Sequence, residues 1–418
     1  MRSKWDGDYL EIDGSSGEGG GQILRTCASL SAITRIAVRI TNIRKGRPKC
    51  GLRKQHVVCL KAAAALNGGA LENCAEGSTC VSFLPPATDA ALKAEYIFDI
   101  GSAGSTTLVF ATIFPILVAR MPPQHPPVKV RIVGGTHASF APCADFLRET
   151  LVPALLRLLN VRVEVTCARH GFNPAGGGVL ECVVYAQQQP LGLKTPLPIF
   201  DSGVITGEEC TLLVTPSFPP PTVATLMAAC KRAMGDAAAI NVLPVPASGS
   251  AAAVQVRVFR EGCAHVEVVT VYPEARGKLE NTLTEELRRS ARSSLAAISA
   301  HTADQLLLPL AVCGGGSFLC APFRGDAHFP TNAGVIQAFL DVVISFDGGG
   351  VGGVRPGGSV PFVSVEEQKR GEGVPLSLHC GVLVTVPPLA DFKVAPVVCA
   401  EEGVVECLKR RRSEVEEK

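Results

Sequence analysis

The fold is decided by one stretch near the N-terminus, Glu11-Ile12-Asp13-Gly14-Ser15-Ser16-Gly17-Glu18-Gly19-Gly20-Gly21. Its first residues have the pattern of a strand end, and a helical spacing of apolar and small residues follows the glycines, at Ile23, Cys27, Leu30 and Thr34. Five glycines within residues 14–21 let backbone amides approach a ligand closely. The amino end of the following helix favours negative charge. The stretch therefore predicts a strand, a turn suited to phosphate, and a helix.

The same pattern returns twice further along the chain. Tyr96–Ile100 precedes GSAGS at residues 101–105 and a helix from about Thr106, and Val128–Val133 precedes Gly134-Gly135-Thr136-His137 and a helix over 143–159. Another strand, 162–168, leads into the glycine-rich residues 170–178 and a further strand. Such weak self-similarity predicts one supersecondary unit repeated around a common axis, with the turns converging on one site. We expect a further unit after residue 300.

Length and composition predict two domains. A chain of 418 residues exceeds the size at which one hydrophobic core usually stops growing. Between residues 187 and 297 the glycines no longer cluster at strand ends, and strand-like runs (211–215, 254–259, 266–272) alternate with helix-like ones (222–233, 279–296). We predict a large domain over 1–186 and 298–400, an inserted small α/β domain over 187–297, and a charged tail over 401–418.

The charge balance limits the possible partners. Forty basic residues face 38 acidic ones, and the chain has one Trp and four Tyr. A long nucleic-acid footprint normally needs a strongly basic face, and a single-strand platform needs aromatic side chains. If a nucleic acid binds, contact with a short end therefore fits better than wrapping.

Cysteine usage and hydropathy predict an intracellular protein in a reducing compartment, nucleus or cytoplasm. The sixteen Cys lack the CxxC spacing of zinc sites, and the N-terminal residues lack the apolar core of a signal peptide. The apolar run Leu108–Ala119 is too short to span a membrane. KRRR in the tail is a weak nuclear signal.

Two groups of polar residues are candidates for phosphate chemistry near the N-terminus. A carboxylate inside a glycine turn, Glu18, suits a divalent metal that itself binds phosphate oxygens. The basic run Arg44-Lys45-Gly46-Arg47-Pro48-Lys49, with Gln55 and His56 soon after, suits phosphates. A helix-start Glu and a solvated basic loop are the alternative interpretations.

A third candidate is His328, which is flanked by loop-forming residues in Gly325-Asp326-Ala327-His328-Phe329-Pro330-Thr331-Asn332. It follows a polar cluster, His301-Thr302-Ala303-Asp304-Gln305. A histidine imidazole has an ordinary pKa of about 6.5, so it is mostly neutral at physiological pH. A neutral imidazole can attack phosphorus and hold a covalent intermediate. Taken alone, a loop histidine is more often solvated or structural.

Several motifs together resemble the RNA 3'-terminal phosphate cyclase family. They are Gly17-Glu18-Gly19-Gly20-Gly21-Gln22-Ile23-Leu24-Arg25, Arg44-Lys45-Gly46-Arg47-Pro48, Gln55-His56, Gly101-Ser102-Ala103-Gly104-Ser105, Gly134-Gly135-Thr136, Pro174-Ala175-Gly176-Gly177-Gly178 and Asp304-Gln305-Leu306-Leu307-Leu308-Pro309. The resemblance spans residues 10 to 345 in the right order. It implies an α/β (α+β) fold, with a large domain of repeated βαβαββ-type units, as in enolpyruvyl transferases, and a smaller inserted α/β domain.

The resemblance also implies an ATP-dependent reaction with a divalent metal, Mg²⁺ or Mn²⁺. The family's nucleophile aligns with His328, which would form histidine-AMP. AMP would then pass to an RNA 3'-phosphate, and the neighbouring 2'-hydroxyl would expel it to leave a 2',3'-cyclic phosphate. By similarity, Glu18 would position the metal, and the phosphate path would be lined by Arg25, Arg44, Arg47, Gln55 and His56.

The resemblance further implies a nucleoside site formed by residues 301–305. Asp304 and Gln305 would contact the nucleoside, within the segment that also holds Thr302 and Ala303, and His301, Pro142 and Phe146 would form walls around adenine. The chain departs from the family at Ala111, where Gln is common, and at His301, where Tyr is common. Three rivals stay open: a cyclase-like ribosome-biogenesis factor without catalysis, an enolpyruvyl transferase, and a non-catalytic binder of RNA ends.

Overall fold

The computed structural model describes residues 2–186, 204–235, 239–263, 265–273, 281–285, 298–313, 316–319, 327–340, 342–346 and 362–367. The architecture is α+β, with four sheets in this part of the chain, three of them mixed and one antiparallel. The predicted charged tail, most of the helix predicted over 279–296, and the Gly325-Asp326 pair before His328 lie outside the described residues.

The N-terminal sheet contains five strands, β1 (Ser3–Asp6), β2 (Tyr9–Asp13), β3 (Val38–Thr41), β4 (Ala70–Glu72) and β5 (Val81–Leu84). Their order is β1-β2-β3-β5-β4, and the β2–β3 pair is parallel because helix α1 (Gly21–Thr34) crosses between them. Helix α2 (Lys54–Asn67) connects β3 to β4. Leu10 and Ile12 of β2 alternate with less buried residues, so one face of the sheet packs against these helices.

A second sheet has the same order and sense of pairing as β2-β3-β5-β4. It contains β6 (Glu95–Asp99), β7 (Val128–Gly134), β8 (Val163–Arg169) and β9 (Gly178–Val184), in the order β6-β7-β9-β8. Helix α3 (Thr106–Arg120) connects the parallel pair β6–β7. The helix predicted over 143–159 is divided into α4 (Ala144–Phe146), a π-helical turn (Leu147–Leu151) and α5 (Val152–Leu159).

The two remaining sheets come from the second half of the chain. Strands β10 (Ile205–Val214), β11 (Ile240–Pro244), β12 (Ala252–Arg260) and β13 (Glu267–Val271) pair in the order β11-β10-β12-β13, beside helix α6 (Pro220–Met234). This sheet has a hydrophobic cluster of its own. Helix α7 (Ala300–Val312) precedes β14 (Gly316–Leu319), and α8 (His328–Phe339) precedes β15 (Val342–Phe346) and β16 (Phe362–Glu367), which pair as β14-β16-β15.

The main core forms where α1, α2, α3, α7 and α8 pack together. Its largest fully buried side chains include Phe83, Phe110 and Phe329. Polar bonds fix how the helices meet: the Ser29 hydroxyl donates to the Thr112 carbonyl at 2.6 Å, joining α1 to α3. The amino ends of α1 and α8 lie side by side. None of the helices in the described ranges combines the length and apolar content that a membrane crossing requires.

Candidate functional site

The glycine turn between β2 and α1 forms one wall of the site. A side chain at Gly17 would collide with the Thr331 hydroxyl, and one at Gly21 would collide with the His56 ring. Because these glycines have no side chain, α8 and α2 both approach the turn. The Glu18 amide donates to the Thr331 hydroxyl at 2.9 Å, which joins the turn to the first helical turn of α8.

His328 is the first residue of α8, so the prediction of a loop position was wrong. Pro330 is compatible with this helix because the first-turn amides have no intrahelical partner to lose. The His328 side chain is 49% exposed. Its Nδ1 lies 3.0 Å from Gln22 Oε1, so Nδ1 donates and the neutral ring carries its lone pair on Nε2. Helix amides at the same position provide a site for negative charge.

Gln22 is held in this orientation by a buried acid. Its Nε2 donates to both oxygens of Asp304, at 2.7 and 2.9 Å. Asp304 also accepts from Asn332 Nδ2 at 3.1 Å and Gln305 Nε2 at 3.0 Å. Burial raises the pKa of Asp304, while the Gln22 hydrogen bond lowers it. Because the amide nitrogen of Gln22 is committed to Asp304, its oxygen must face His328.

Glu18 has the surroundings expected of a metal ligand. Its Oε1 lies 3.9 Å from His328 Nε2 and forms an ion pair with Arg47. Its Oε2 is buried and has no hydrogen-bond partner within the described part of the chain. A buried, unpaired carboxylate oxygen is costly unless a cation binds it. The residue therefore fits one ligand position of a divalent cation such as Mg²⁺.

The basic residues divide into those that face the site and those that support it. Arg25 lies on α1 beside Gly21, and burial lowers the pKa of its guanidinium. Arg47 bonds both the carboxylate and the carbonyl of Glu18. Arg44 donates to the carbonyls of Lys49 and Gly51, at 2.9 and 3.2 Å, so it holds the basic loop together.

His56 is held as a neutral ring. Burial, reinforced by the charges of Arg25, Arg44 and Arg53, lowers its pKa to about 3. Its Nδ1 accepts from the Arg53 amide at 3.0 Å. His56 can therefore offer an N–H from Nε2 but no positive charge.

Gln55 connects a second glycine turn to the site. Its Oε1 accepts from the amide of Ser105, the last residue of GSAGS at 101–105, at 2.7 Å. The turn is further tied to β7 through Gly135, whose amide donates to the Gly104 carbonyl at 2.7 Å. Helix α2 thus contacts both glycine turns, through His56 at Gly21 and through Gln55 at Ser105.

A cavity of about 40 Å³ lies next to Gln22 and Asp304. Its lining includes Arg25, Ala111, Leu151 and Gln305. A cavity of this size has room for water, and its polar side includes Asp304 and Gln305, to which the resemblance assigns the nucleoside. Ala111, the departure from the family pattern, lies on its wall.

The predicted nucleoside residues have different positions. Asp304 and Gln305 line the cavity, whereas His301 is exposed on α7. Thr302 donates to Glu267 at 3.4 Å, and Ala303 packs in the main core. The Pro142 carbonyl accepts from the Thr107 hydroxyl at 2.6 Å, and the Phe146 ring belongs to the core.

Sequence reasoning missed the residues that orient the others, Gln22, Thr331 and Asn332. Asn332 follows His328 by four residues, a spacing that places both on one face of a helix. Recognising α8 as a helix would have paired them. Asn332 also bonds the Thr26 hydroxyl at 2.8 Å, which aligns α8 with α1.

Comparisons with known proteins point to one family. A family model described as RNA 3'-terminal phosphate cyclase matches residues 16–346. The chain is 36% identical over 338 residues to the RNA 3'-terminal phosphate cyclase of Salmonella agona, covering 81% of this chain and 94% of that protein. The corresponding proteins of Koribacter versatilis and Ectopseudomonas mendocina are 34% and 36% identical, over 80% and 81% of this chain and 91% and 94% of theirs. The chain therefore belongs to the RNA 3'-terminal phosphate cyclase family of enzymes.

Proposed function

We propose that this protein converts an RNA 3'-terminal phosphate to a 2',3'-cyclic phosphodiester at the expense of ATP, with His328 as the nucleophile. The observation that carries the proposal is the bonding chain Asp304–Gln22–His328, which fixes the imidazole tautomer. With Nδ1 donating to Gln22, the lone pair for attack is on Nε2, next to Glu18.

In the first step, Nε2 attacks the α-phosphorus of ATP, the Nε2–phosphorus bond forms, and pyrophosphate leaves. The residues around His328 support this step by positioning and by charge. Arg25 and Arg47 supply positive charge, the amino ends of α1 and α8 supply amides, and neutral His56 supplies one N–H donor. A divalent cation held by Glu18 would neutralise charge on the phosphate oxygens.

In the later steps, a 3'-phosphate oxygen of the RNA takes AMP from His328 and forms an anhydride. The vicinal 2'-hydroxyl then attacks the activated phosphorus and AMP leaves, which closes the cyclic diester. Covalent geometry already holds this hydroxyl beside the phosphorus, so proximity supplies much of the final step. The basic residues at 44–54 would bind the terminal phosphates.

We also propose that residues 1–186 and 298–400 form one large domain of repeated βαβαββ-type units, with 187–297 inserted as a smaller domain. The shared pairing order of β2-β3-β5-β4 and β6-β7-β9-β8 supports the repeat. The separate hydrophobic cluster of β10–β13 supports the insertion.

Covalent labelling tests the proposed reaction. Incubation of the full chain with ATP labelled at the α-phosphorus and Mg²⁺ should give acid-labile, alkali-stable label. His328→Ala should reduce that label to background, whereas the matched variant His125→Ala, in an exposed loop, should label like the wild-type protein. A wild-type protein that binds RNA ends but takes no label would support a binding role instead.

A further inference from the structure

One face of the β12–β13 pair contacts the segment 143–150, which follows β7 along the chain. Gln255 pairs with Thr270 and Arg257 pairs with Val268, so these four side chains share a face because side chains alternate along a strand. We call these four residues the docking face. The opposite face of the same strands packs into the cluster of β10–β13.

The docking face bonds the segment 143–150, which contains α4 and most of the π-helical turn. Arg257 donates to both oxygens of Glu149, at 2.7 and 3.2 Å. Gln255 Nε2 donates to Asp145 at 2.8 Å, and Thr270 bonds the Cys143 thiol at 3.2 Å. The two-point, charge-assisted contact between Arg257 and Glu149 fixes direction as well as distance.

Backbone bonds continue the same contact. The Val266 amide donates to the Glu149 carbonyl at 3.0 Å. The Thr150 hydroxyl donates to the Val266 carbonyl at 2.6 Å and accepts from the Val268 amide at 3.1 Å. The π-helical turn is therefore held on two consecutive residues, 149 and 150.

The residues that directly follow the segment 143–150 border the cavity. Leu151, the last residue of the π-helical turn, and Leu155, one turn later, both line it. Pro142 and Phe146, the proposed adenine walls, immediately precede or belong to the same segment. A shift of the docking face would therefore move one side of the cavity directly.

The same pair of strands also contacts the other side of the cavity. Buried Glu267, on β13, accepts from Thr302 at 3.4 Å, near the amino end of α7. Two residues further along α7, Asp304 and Gln305 line the cavity. Strands β12 and β13 thus hold both the α7 side and the π-helical side.

The buried polar contact is also costly for stability. Gln255 is fully buried, and its Oε1 has no hydrogen-bond partner among the residues that the structure describes. An unpaired buried acceptor destabilises the folded protein. Apolar packing would join the docking face to the segment 143–150 at less cost in stability. The polar bonds are therefore better explained by the direction that they impose on Asp145 and Glu149.

We propose that the docking face positions the base-binding side of the nucleotide cavity, with Gln255 and Arg257 as positioning residues for ATP; this rests on the proposed use of ATP. The residues proposed to bind the phosphates, Glu18, Arg25 and Arg47, lie on other elements: the glycine turn, α1 and the 44–50 loop. Loss of the docking face should therefore weaken binding of the base and leave binding of the phosphates unchanged.

Calorimetric titration of the full chain with ATP and, separately, with tripolyphosphate tests this separation. Arg257→Met and Gln255→Leu keep side-chain volume and remove the directional bonds. Each should weaken ATP binding about tenfold or more, since a displacement of about 1 Å can cost up to a hundredfold. Tripolyphosphate affinity should change less than about twofold. The matched control is Lys231→Met, at an exposed position of α6 beside the same sheet. It should change neither the ATP affinity nor the tripolyphosphate affinity.

Equal weakening of ATP and tripolyphosphate, or unchanged ATP affinity in both variants, would overturn the proposal. If either variant does not fold, Glu149→Gln keeps the side-chain shape and one of the two bonds to Arg257. It should then weaken ATP several-fold with tripolyphosphate unchanged. A wild-type protein that binds ATP without becoming labelled would sink the proposed reaction and leave this inference intact.

Discussion

At the scale of single residues, the orientation of His328 depends on Gln22. An amide neither attacks nor carries charge, yet Gln22 joins the buried acid to the imidazole. Asp304 and His328 were both named from the sequence, in the polar cluster at 301–305 and among the loop-forming residues at 325–332. The amide was not, because a polar side chain near a helix start is common and its partners lie about three hundred residues away.

The Gln22→Leu variant removes the bond to His328 without adding charge. The imidazole can then rotate and change tautomer, so we expect the rate of label transfer at saturating ATP to fall about a hundredfold. ATP affinity should fall much less than the labelling rate, because Gln22 borders the cavity but the residues proposed to bind the phosphates are untouched. Single-turnover labelling together with calorimetry measures both. A variant that labels at the wild-type rate would show that Gln22 does not orient the nucleophile.

His56 makes the stability of the protein depend on pH. Its pKa is about 3 in the folded chain, below the ordinary value of about 6.5, so the unfolded chain binds more protons between these values. Stability should therefore fall as pH falls through this window. His56→Gln keeps an N–H donor and does not titrate, and it should lose this part of the dependence. Urea unfolding of both proteins at pH 7 and pH 5 measures the difference, and identical losses would contradict it.

At the scale of elements, local sequence signals predicted most of the site-bearing units. The strand–turn–helix of β2 and α1 was predictable because its glycines and apolar spacing are both local signals. The π-helical turn at 147–151 was not, since it follows from bonds between Glu149, Thr150 and a distant strand. The helical position of His328 was missed because Pro330 and Asn332 are typical of loops, although Pro330 lies in the first turn, where no intrahelical bond is lost.

Gly21→Ala tests how closely α1 and α2 must approach each other. The added methyl would overlap the His56 ring and the Arg25 guanidinium, so both must move. We expect a loss of about 1–3 kcal/mol in the free energy of unfolding and a matching loss of labelling. Gly46→Ala, in the basic loop with no atom within 4 Å of the added methyl, is the control. Chemical unfolding of the two variants compares them, and equal stabilities would show that α2 is free to shift.

At the scale of the whole molecule, the charge balance predicts how the proposed RNA binding depends on salt. With 40 basic and 38 acidic residues, the chain has no general attraction for a polyanion. Binding should depend on the few cations around the glycine turns. For about three phosphate contacts on a single strand, the slope of log K against log salt should be about −2. Fluorescence anisotropy with a 3'-phosphorylated oligonucleotide measures it, and a slope steeper than about −5 would indicate a long footprint instead.

The bond from the Glu18 amide to Thr331 joins residues 313 positions apart. During synthesis, the ribosome has released the glycine turn, Arg25 and Glu18 long before the segment that completes their surroundings exists. The first 186 residues can pair their own strands at that stage, but the carboxylate–amide–imidazole chain cannot form. On the proposed mechanism, a nascent chain therefore could not form histidine-AMP before α8 has docked.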